Sequence, residues 1–267
     1  MRDFTLNVYQ VFLTKLREKG YVLLPYKEYI ENNHAMPDFK SSIAVLRHDV
    51  DLLPEFALIQ AKVEHDLGIH GTYYFRTVEK TFNIELIRKI DSMGHEIGYH
   101  YEDIDLVLRS LKIKKQKLTR EEIIDRAYES FCKNLETFRS YIDIKTICMH
   151  GSPLSKYDNK LIWTKYDYKE LNILAEPYFD INWDKFGYLT DTGRRWNGQS
   201  VSIRDKVSSK FEFNFKRTTD IISNINSLPE KMMFTIHPQR WTNNFVPWMK
   251  ELIIQNFKNG IKRFIVK

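Results

Sequence analysis

Short apolar runs alternate with helical patterns along most of this chain, and this alternation restricts the fold more than any other feature. The apolar runs predict strands over 43–46, 72–75, 95–100, 146–149 and 232–236. Helical periodicity predicts helices over about 5–19, 54–67, 83–92, 119–140, 218–227 and 245–257. Strands that alternate with helices build parallel sheets and barrels, so an α/β fold is predicted.

The chain has 267 residues, which is long for an ordinary domain but normal for an α/β barrel. No internal repeat divides it, and no linker rich in Pro, Gly or Ser interrupts it. A single domain over residues 1–267 is therefore expected, with residues 1–40 as an N-terminal helical extension packed on it. This length favours an α/β barrel as the architecture.

Composition and the pattern of apolar residues indicate the cellular compartment to expect. The longest apolar stretches are far shorter than the roughly 20 residues of a membrane helix, so no membrane span is expected. Polar residues interrupt every apolar run near the N-terminus, which is unlike a signal peptide. The only cysteines, Cys132 and Cys148, fit two reduced thiols. Together these features predict a cytoplasmic protein.

The formal net charge of +6 raises the question of nucleic-acid binding. Such binding needs clustered basic residues, and the main basic run, Lys112 to Lys117, precedes a capping-box pattern from Thr119 to Glu122. We interpret that run as a solvated linker and helix start, so no nucleic-acid partner is expected. The charge is compatible with anionic ligands such as nucleotide-linked sugars or lipid phosphates.

Two carboxylates follow the first apolar run, in the sequence Asp49-Val50-Asp51. Side chains alternate across a strand, so Asp49 and Asp51 leave on one face while His48 and Val50 leave on the other. Like charges held this close favour a bound cation or a shared proton, and both are typical of functional sites. The alternative is a solvated strand end at which Asp51 caps the helix that Pro54 begins.

Other polar residues occupy the carboxyl ends of the predicted strands. Ligands bind at that edge of parallel sheets and barrels, and catalytic residues gather there. The residues in this position are Arg76, His100, His150 and His237. By alternation His48 and His95 face away from the paired carboxylates, so structural roles are favoured for both.

Four segments in this order resemble the motifs of the polysaccharide deacetylase superfamily, carbohydrate esterase family 4. They are Asp49-Val50-Asp51, Gly71-Thr72-Tyr73-Tyr74-Phe75, Gly94-His95-Glu96-Ile97-Gly98-Tyr99-His100 and Phe234-Thr235-Ile236-His237-Pro238. The resemblance covers about residues 43 to 240, and it is specific because of the order and spacing of the segments. It implies a seven-stranded distorted barrel and a metal-dependent hydrolase.

The resemblance also implies a role for each matched residue. Asp49 would be the catalytic base and His237 the general acid, while Asp51 and His100 would bind one divalent ion, expected to be zinc. The family's second histidine lies four residues after the first, and that position here is Ile104, which cannot bind a metal.

Four residues are candidates for the missing metal ligand. Glu102, Asp103 and Asp105 offer carboxylate oxygens, and Asp105 is favoured for its reach. His150 offers a nitrogen, although a strand-end histidine can equally hold a loop by hydrogen bonds.

Further residues are candidates for substrate binding. Arg76 would clamp a carboxylate or phosphate of the substrate, or alternatively pair with Asp49 or Glu79. His150 is a candidate here as well. Asp191 is predicted to orient His237, and Trp196 and Trp241 to stack on a sugar ring. Both indoles have the alternative of building the core.

The expected function is removal of acetyl groups from an N-acetylated sugar, carried on a nucleotide or a lipid, in surface-polysaccharide biosynthesis. One alternative is a deacetylase fold that has lost catalysis and binds glycans, which the isoleucine at position 104 favours. The other is a metal-dependent hydrolase of another non-peptide amide, such as a ureido or cyclic-imide group.

Overall fold

A computed structural model of the protein describes residues 2–35, 41–152, 155–197 and 207–265. Its strands are β1 (Tyr21–Leu24), β2 (Ser42–Val50), β3 (Thr72–Phe75), β4 (Glu96–Tyr101), β5 (Ile147–Met149), β6 (Gly187–Thr190) and β7 (Lys231–Ile236). Its α-helices are α1 (Leu6–Glu18), α2 (Tyr26–Ala35), α3 (Pro54–Asp66), α4 (Ile84–Asp91), α5 (Asp103–Lys114), α6 (Arg120–Arg139), α7 (Pro177–Asp180), α8 (Thr218–Ser223) and α9 (Phe245–Ile265). The predicted α/β class is confirmed.

All strand pairs are parallel, and six strands follow one another in the order β5-β4-β3-β2-β7-β6. The sheet curls into a half-barrel, which is compatible with a distorted barrel. β1 lies off this path, because it pairs with the first half of β2, from Ser42 to Val45. β3 pairs with the second half, from Arg47 to Val50. The predicted N-terminal extension thus contributes a strand as well as helices.

Alternation places one set of strand residues inside the curl and the other against helices. Val45, Tyr74, Cys148 and Met233 belong to one apolar cluster that joins four strands. On the other face Tyr99 of β4 packs against α6 residues, including Phe131 at 5.2 Å between ring centroids. Both faces of the sheet are therefore buried, as a parallel sheet requires.

Two helix boundaries bear on the site. The residue before α3 is Leu53, whose φ of 54° is left-handed and which makes no side-chain capping bond. Asp51 therefore does not cap this helix, and that alternative is wrong. α5 begins at Asp103, in a segment for which no helix was predicted, and its last turn contains Lys112 and Lys114 of the predicted linker. The capping box of Thr119 and Glu122 is confirmed.

His48 and His95 belong to a buried polar cluster on the face opposite the paired carboxylates. His48 Nε2 lies 2.8 Å from Glu64 Oε1, and its ring stacks on Tyr73 at 4.1 Å between centroids. His95 Nε2 lies 3.0 Å from the carbonyl oxygen of Ala61. These contacts give both histidines structural roles, as their parity on the strands predicted. Among the described residues no helix combines the length and the apolar character that crossing a membrane requires.

Candidate metal centre

The carboxylate of Asp51 is the point at which three imidazole rings meet. Its Oδ1 lies 3.5 Å from His100 Nε2 and 3.5 Å from His150 Nε2, and its Oδ2 lies 3.7 Å from His237 Nε2. Asp51 Oδ1 is buried and has no hydrogen-bond partner in the described part of the chain. Zinc bonds of about 2.1 Å at tetrahedral angles separate neighbouring ligand atoms by about 3.4 Å. The unpartnered oxygen and the two nitrogens nearest to it therefore fit ligands of one ion.

His100 is oriented by the strand next to its own. It is the penultimate residue of β4, where it pairs in register with Cys148 of β5, and its Nδ1 lies 2.9 Å from the Cys148 carbonyl oxygen. A carbonyl only accepts hydrogen bonds, so Nδ1 carries the proton and Nε2 presents a lone pair toward Asp51. This is the tautomer that a metal ligand needs.

His150 follows β5 directly, and its backbone N donates to the carbonyl oxygen of Tyr101 at 2.9 Å. Its Nδ1 lies 3.3 Å from Ser152 Oγ, which leaves Nε2 facing Asp51. Burial lowers the pKa of His150 to about 3, so the ring is neutral at neutral pH. Neutral imidazole is the form that binds metals.

The structure corrects the expectation that Asp105 or Asp103 supplies the third ligand. Asp103 accepts hydrogen bonds from Tyr99, Ser130 and Asn134, at 2.6 to 2.7 Å. Asp105 accepts one from Arg109 at 3.2 Å. Among the described residues, two groups have ligand atoms within 4.8 Å of one another, and Glu102, Asp103 and Asp105 belong to neither. The first of these groups is Asp51, His100 and His150. The physical reason is that α5 begins at Asp103, which turns the Asp103 carboxylate toward β4 and α6 and the Asp105 carboxylate toward Arg109 on the next turn of α5.

Asp49 lies beside the same cluster but is held by a different residue. Arg47 Nε donates to its Oδ1 at 2.8 Å and an Arg47 Nη to its Oδ2 at 2.6 Å. Burial raises the pKa of Asp49, but Arg47, His100 and His237 together outweigh burial and hold this pKa below its usual range. Asp49, His100 and Cys148 also form a group within 4.8 Å. Because both Asp49 oxygens already bind Arg47, we assign the ion to the Asp51 group.

His237 faces the cluster from the end of β7. Its Nδ1 lies 2.6 Å from Asp191 Oδ1, and its backbone N donates to Asp191 Oδ2 at 3.0 Å. Burial alone would raise the pKa of Asp191, but Arg240 and His237 lower it to about 2. Asp191, the predicted orienting residue, is therefore an ionised partner that leaves His237 Nε2 facing Asp51.

Arg76 donates hydrogen bonds to other groups of the protein. Its Nε donates to Glu102 Oε1 at 2.7 Å and its Nη1 to the backbone oxygen of Asp51 at 2.9 Å. It pairs with neither Asp49 nor Glu79, the alternatives that the sequence suggested. Arg76 thus fixes the backbone that carries the Asp51 carboxylate.

The indoles of Trp196 and Trp241 are each only 1% exposed, which corrects the expectation that they stack on a sugar. Both rings lie in the apolar cluster that includes Phe12 and Phe234. Trp241 Nε1 donates to Asp191 Oδ2 at 2.8 Å, whereas Trp196 Nε1 donates to Thr218. They build the core beneath the site.

Sequence reasoning missed Arg47, and it offered Glu102 only as a possible metal ligand. Arg47 shares its parity with Asp49 and Asp51, so strand alternation alone could have found it. Glu102 is 1% exposed, and it joins Arg76 to Arg109. No local signal marks this bridging role, since Arg76 and Arg109 come from separate segments.

No protein-family model matches this chain, and no curated protein matches it either. The geometry of the site therefore carries the functional argument.

Proposed function

We propose that this protein is a metal-dependent hydrolase that removes the acetyl group from an N-acetylated sugar, on a seven-stranded barrel of the polysaccharide deacetylase type. The observation that carries the proposal is the buried Asp51 Oδ1, which has no hydrogen-bond partner within the described ranges and lies 3.5 Å from the Nε2 atoms of both His100 and His150. Asp49 and His237 flank it. The four-motif resemblance supplies the reaction class.

Asp51, His100 and His150 would hold one divalent ion, and two imidazoles with one carboxylate suit zinc. When bound, such an ion polarises the acetyl carbonyl and lowers the pKa of an attacking water. His150 would thus take the part of the family's second histidine, which is Ile104 here and lies in the core, 0% exposed. This support for a complete ligand set weighs against the non-catalytic alternative.

Asp49 and His237 divide the proton transfers between them. Asp49, kept ionised by Arg47, would take the proton of the attacking water. His237, held by Asp191, would protonate the sugar nitrogen as it leaves. Because each belongs to its own hydrogen-bonded pair, the two groups can keep opposite protonation states in one site.

The substrate that we propose is an N-acetylhexosamine carried on a nucleotide or a lipid and destined for a surface polysaccharide. The net charge of +6 is compatible with the phosphates of either carrier. The cytoplasmic setting expected from the sequence is consistent with an intermediate rather than a finished wall polymer.

Acetate release tests the proposal. Zinc-loaded protein is incubated with free, nucleotide-linked and lipid-linked N-acetylhexosamines, with and without a chelator. We expect acetate from at least one substrate, loss of activity with the chelator and recovery with added zinc. The matched control is Asp49→Asn, which should bind zinc but release no acetate.

The alternatives give different results in the same experiment. Folded, zinc-loaded protein that releases no acetate but still binds glycans would establish the non-catalytic reading. Hydrolysis of ureido or cyclic-imide compounds without deacetylation would assign the other amide reaction.

A further inference from the structure

An open cavity of about 450 Å³ lies outside the metal centre, between α9 and the segments that follow β6 and precede α8. Its basic lining residues are Arg194, Arg195, Lys216 and Arg217. From α9 it is lined by Trp248, Leu252, Asn256, Asn259 and Gly260. None of these residues belongs to the metal centre. The cavity is therefore a separate feature, which the proposed function does not use.

Glu251 and Asp3 partly offset the charge of Arg194, but the other basic residues of this pocket have no close acidic partner in the described part of the chain. Within the described ranges, no carboxylate lies within 4.0 Å of the charged nitrogens of its four basic residues. The one acidic lining residue, Asp3, accepts hydrogen bonds from Thr218 N at 2.9 Å and Thr218 Oγ1 at 2.6 Å. Arginine and lysine without acidic partners bind phosphate groups. The pocket thus fits a phosphate-bearing ligand.

An apolar stripe runs along α9 beside the pocket. Val246, Ile253 and Phe257 are 75%, 62% and 70% exposed, and their spacing of seven and four residues puts them on one helix face. Lys250 shares this face and is exposed. Large apolar side chains that are this exposed and aligned mark an interaction surface.

The positive charges of Lys250 on the stripe and of the basic pocket beside it indicate the kind of partner that binds here. A two-fold contact with a second copy would place Lys250 of each chain near basic residues of the other, which is unfavourable. An anionic bilayer satisfies both features at once: the apolar side chains enter the headgroup and acyl boundary, and the basic residues meet lipid phosphates.

We propose that the α9 stripe and the basic pocket together form a docking surface for a bilayer that contains anionic phospholipid, with one lipid phosphate bound in the pocket. The docking depends on neither zinc nor Asp49, so its failure and the failure of the proposed hydrolase are distinguishable.

Vesicle sedimentation tests the docking with the full chain. Vesicles of phosphatidylcholine mixed with phosphatidylglycerol should sediment the protein, and vesicles of phosphatidylcholine alone should not. High salt should release the protein, because the charge interaction is screened. We expect Lys216→Glu with Arg217→Glu to weaken binding more than about tenfold, and Ile253→Ser with Phe257→Ser to weaken it similarly.

The end of α5 offers a matched control surface. Lys112 and Lys114 are exposed, and Ile113 between them is 82% exposed. Lys112→Glu with Lys114→Glu changes the net charge as much as the pocket variant does, and Ile113→Ser removes an exposed apolar side chain. Neither change should alter vesicle binding. Near-ultraviolet circular dichroism and zinc content of each variant report the fold.

Three outcomes would overturn the docking proposal. The first is equal loss of vesicle binding in the α5 variants, which would mean that the net charge of the protein, and not this surface, determines binding. The second is a dimer in sedimentation velocity that Ile253→Ser with Phe257→Ser dissociates, without vesicle binding. The third is binding of pyrophosphate at Lys216 and Arg217 without vesicle binding, which would assign a soluble phosphate ligand.

Discussion

Arg47 binds both carboxylate oxygens of Asp49, the residue two positions later on the same strand, at 2.8 and 2.6 Å. Both side chains are buried, so the pair is shielded from water and its geometry is fixed by the strand. With its oxygens occupied, Asp49 remains an ionised carboxylate, whereas Asp51 Oδ1 has no hydrogen-bond partner among the residues that the structure describes. The ion pair between Arg47 and Asp49 thus distinguishes the environments of two carboxylates that lie two positions apart in the sequence.

Replacing Arg47 should change the pH dependence of hydrolysis. In Arg47→Met, the charge of Arg47 no longer offsets the burial of Asp49, so the Asp49 pKa rises and the acid limb of kcat/KM moves to higher pH. Arg47→Lys keeps the charge but not the two-point contact, and should shift the limb less. Leaving a buried carboxylate unpaired should also cost about 3–5 kcal/mol of stability, measured by urea unfolding. A folded Arg47→Met protein with an unmoved acid limb would remove Asp49 as the base.

Zinc affinity distinguishes the candidate third ligands. We expect His150→Ala to lose more than about 100-fold in affinity, since it removes one of three protein ligands, whereas Asp105→Ala should stay near the parent value. Competition with a chromogenic chelator measures both. The reverse order of effects would restore Asp105 as the ligand.

Local patterns predicted the parts of the site that lie on regular strands. Strand alternation put Asp49 and Asp51 on one face, and the rule for carboxyl ends of parallel strands brought His100 and His237 to the same edge. Both inferences need only a few neighbouring residues. They succeeded because β2, β4 and β7 pair in the parallel manner that such runs predict.

The remaining parts depend on contacts between distant segments. Asp105 was favoured because the sequence patterns did not predict α5. This helix starts at Asp103 and turns the carboxylates of Asp103 and Asp105 to other partners. The exposure of Trp196 and Trp241 was misjudged because an indole near turn residues looks the same whether its face meets solvent or Phe12. β1 was missed since four residues, Tyr21–Leu24, carry little periodicity.

The loss of activity on replacing His237 should depend on the leaving group. The poorer the leaving group, the larger the loss should be. For an amide substrate, His237→Ala should lower kcat by about 100-fold to 10,000-fold, the usual worth of a general acid. For an aryl acetate, whose phenolate leaves without protonation, the loss should be small. Equal losses on both substrates would mean that His237 is not the acid. Asp191, with a pKa of about 2, stays ionised throughout such assays.

Glu176 should make stability depend on pH. It is buried, it accepts hydrogen bonds from the backbone N atoms of Met149 and Tyr178, and burial raises its pKa to about 7. Because the folded pKa exceeds the unfolded value, the folded state holds the proton more tightly, and stability falls as pH rises from about 4.5 to about 7. The loss is up to about 3 kcal/mol.

Glu176→Gln cannot ionise, so its stability should vary less over the same pH range, and urea unfolding at several pH values measures the difference. Its amide replaces one acceptor oxygen, so a lower stability at acidic pH is also expected. A parent protein whose stability rises between pH 4.5 and 7 while that of Glu176→Gln stays flat would contradict the assignment.

Two conservative tryptophan variants separate the core role from sugar stacking. Trp241→Phe keeps an aromatic ring but removes the Nε1 donor that binds Asp191 Oδ2 at 2.8 Å. Trp196→Phe makes the same change where Nε1 binds Thr218 Oγ1 at 2.9 Å instead. Each should cost about 1–3 kcal/mol of stability, because a buried acceptor loses its partner. Only Trp241→Phe should also lower kcat, since Asp191 orients His237. KM for the sugar should be unchanged in both variants. A raised KM would indicate that the replaced indole contacts the substrate.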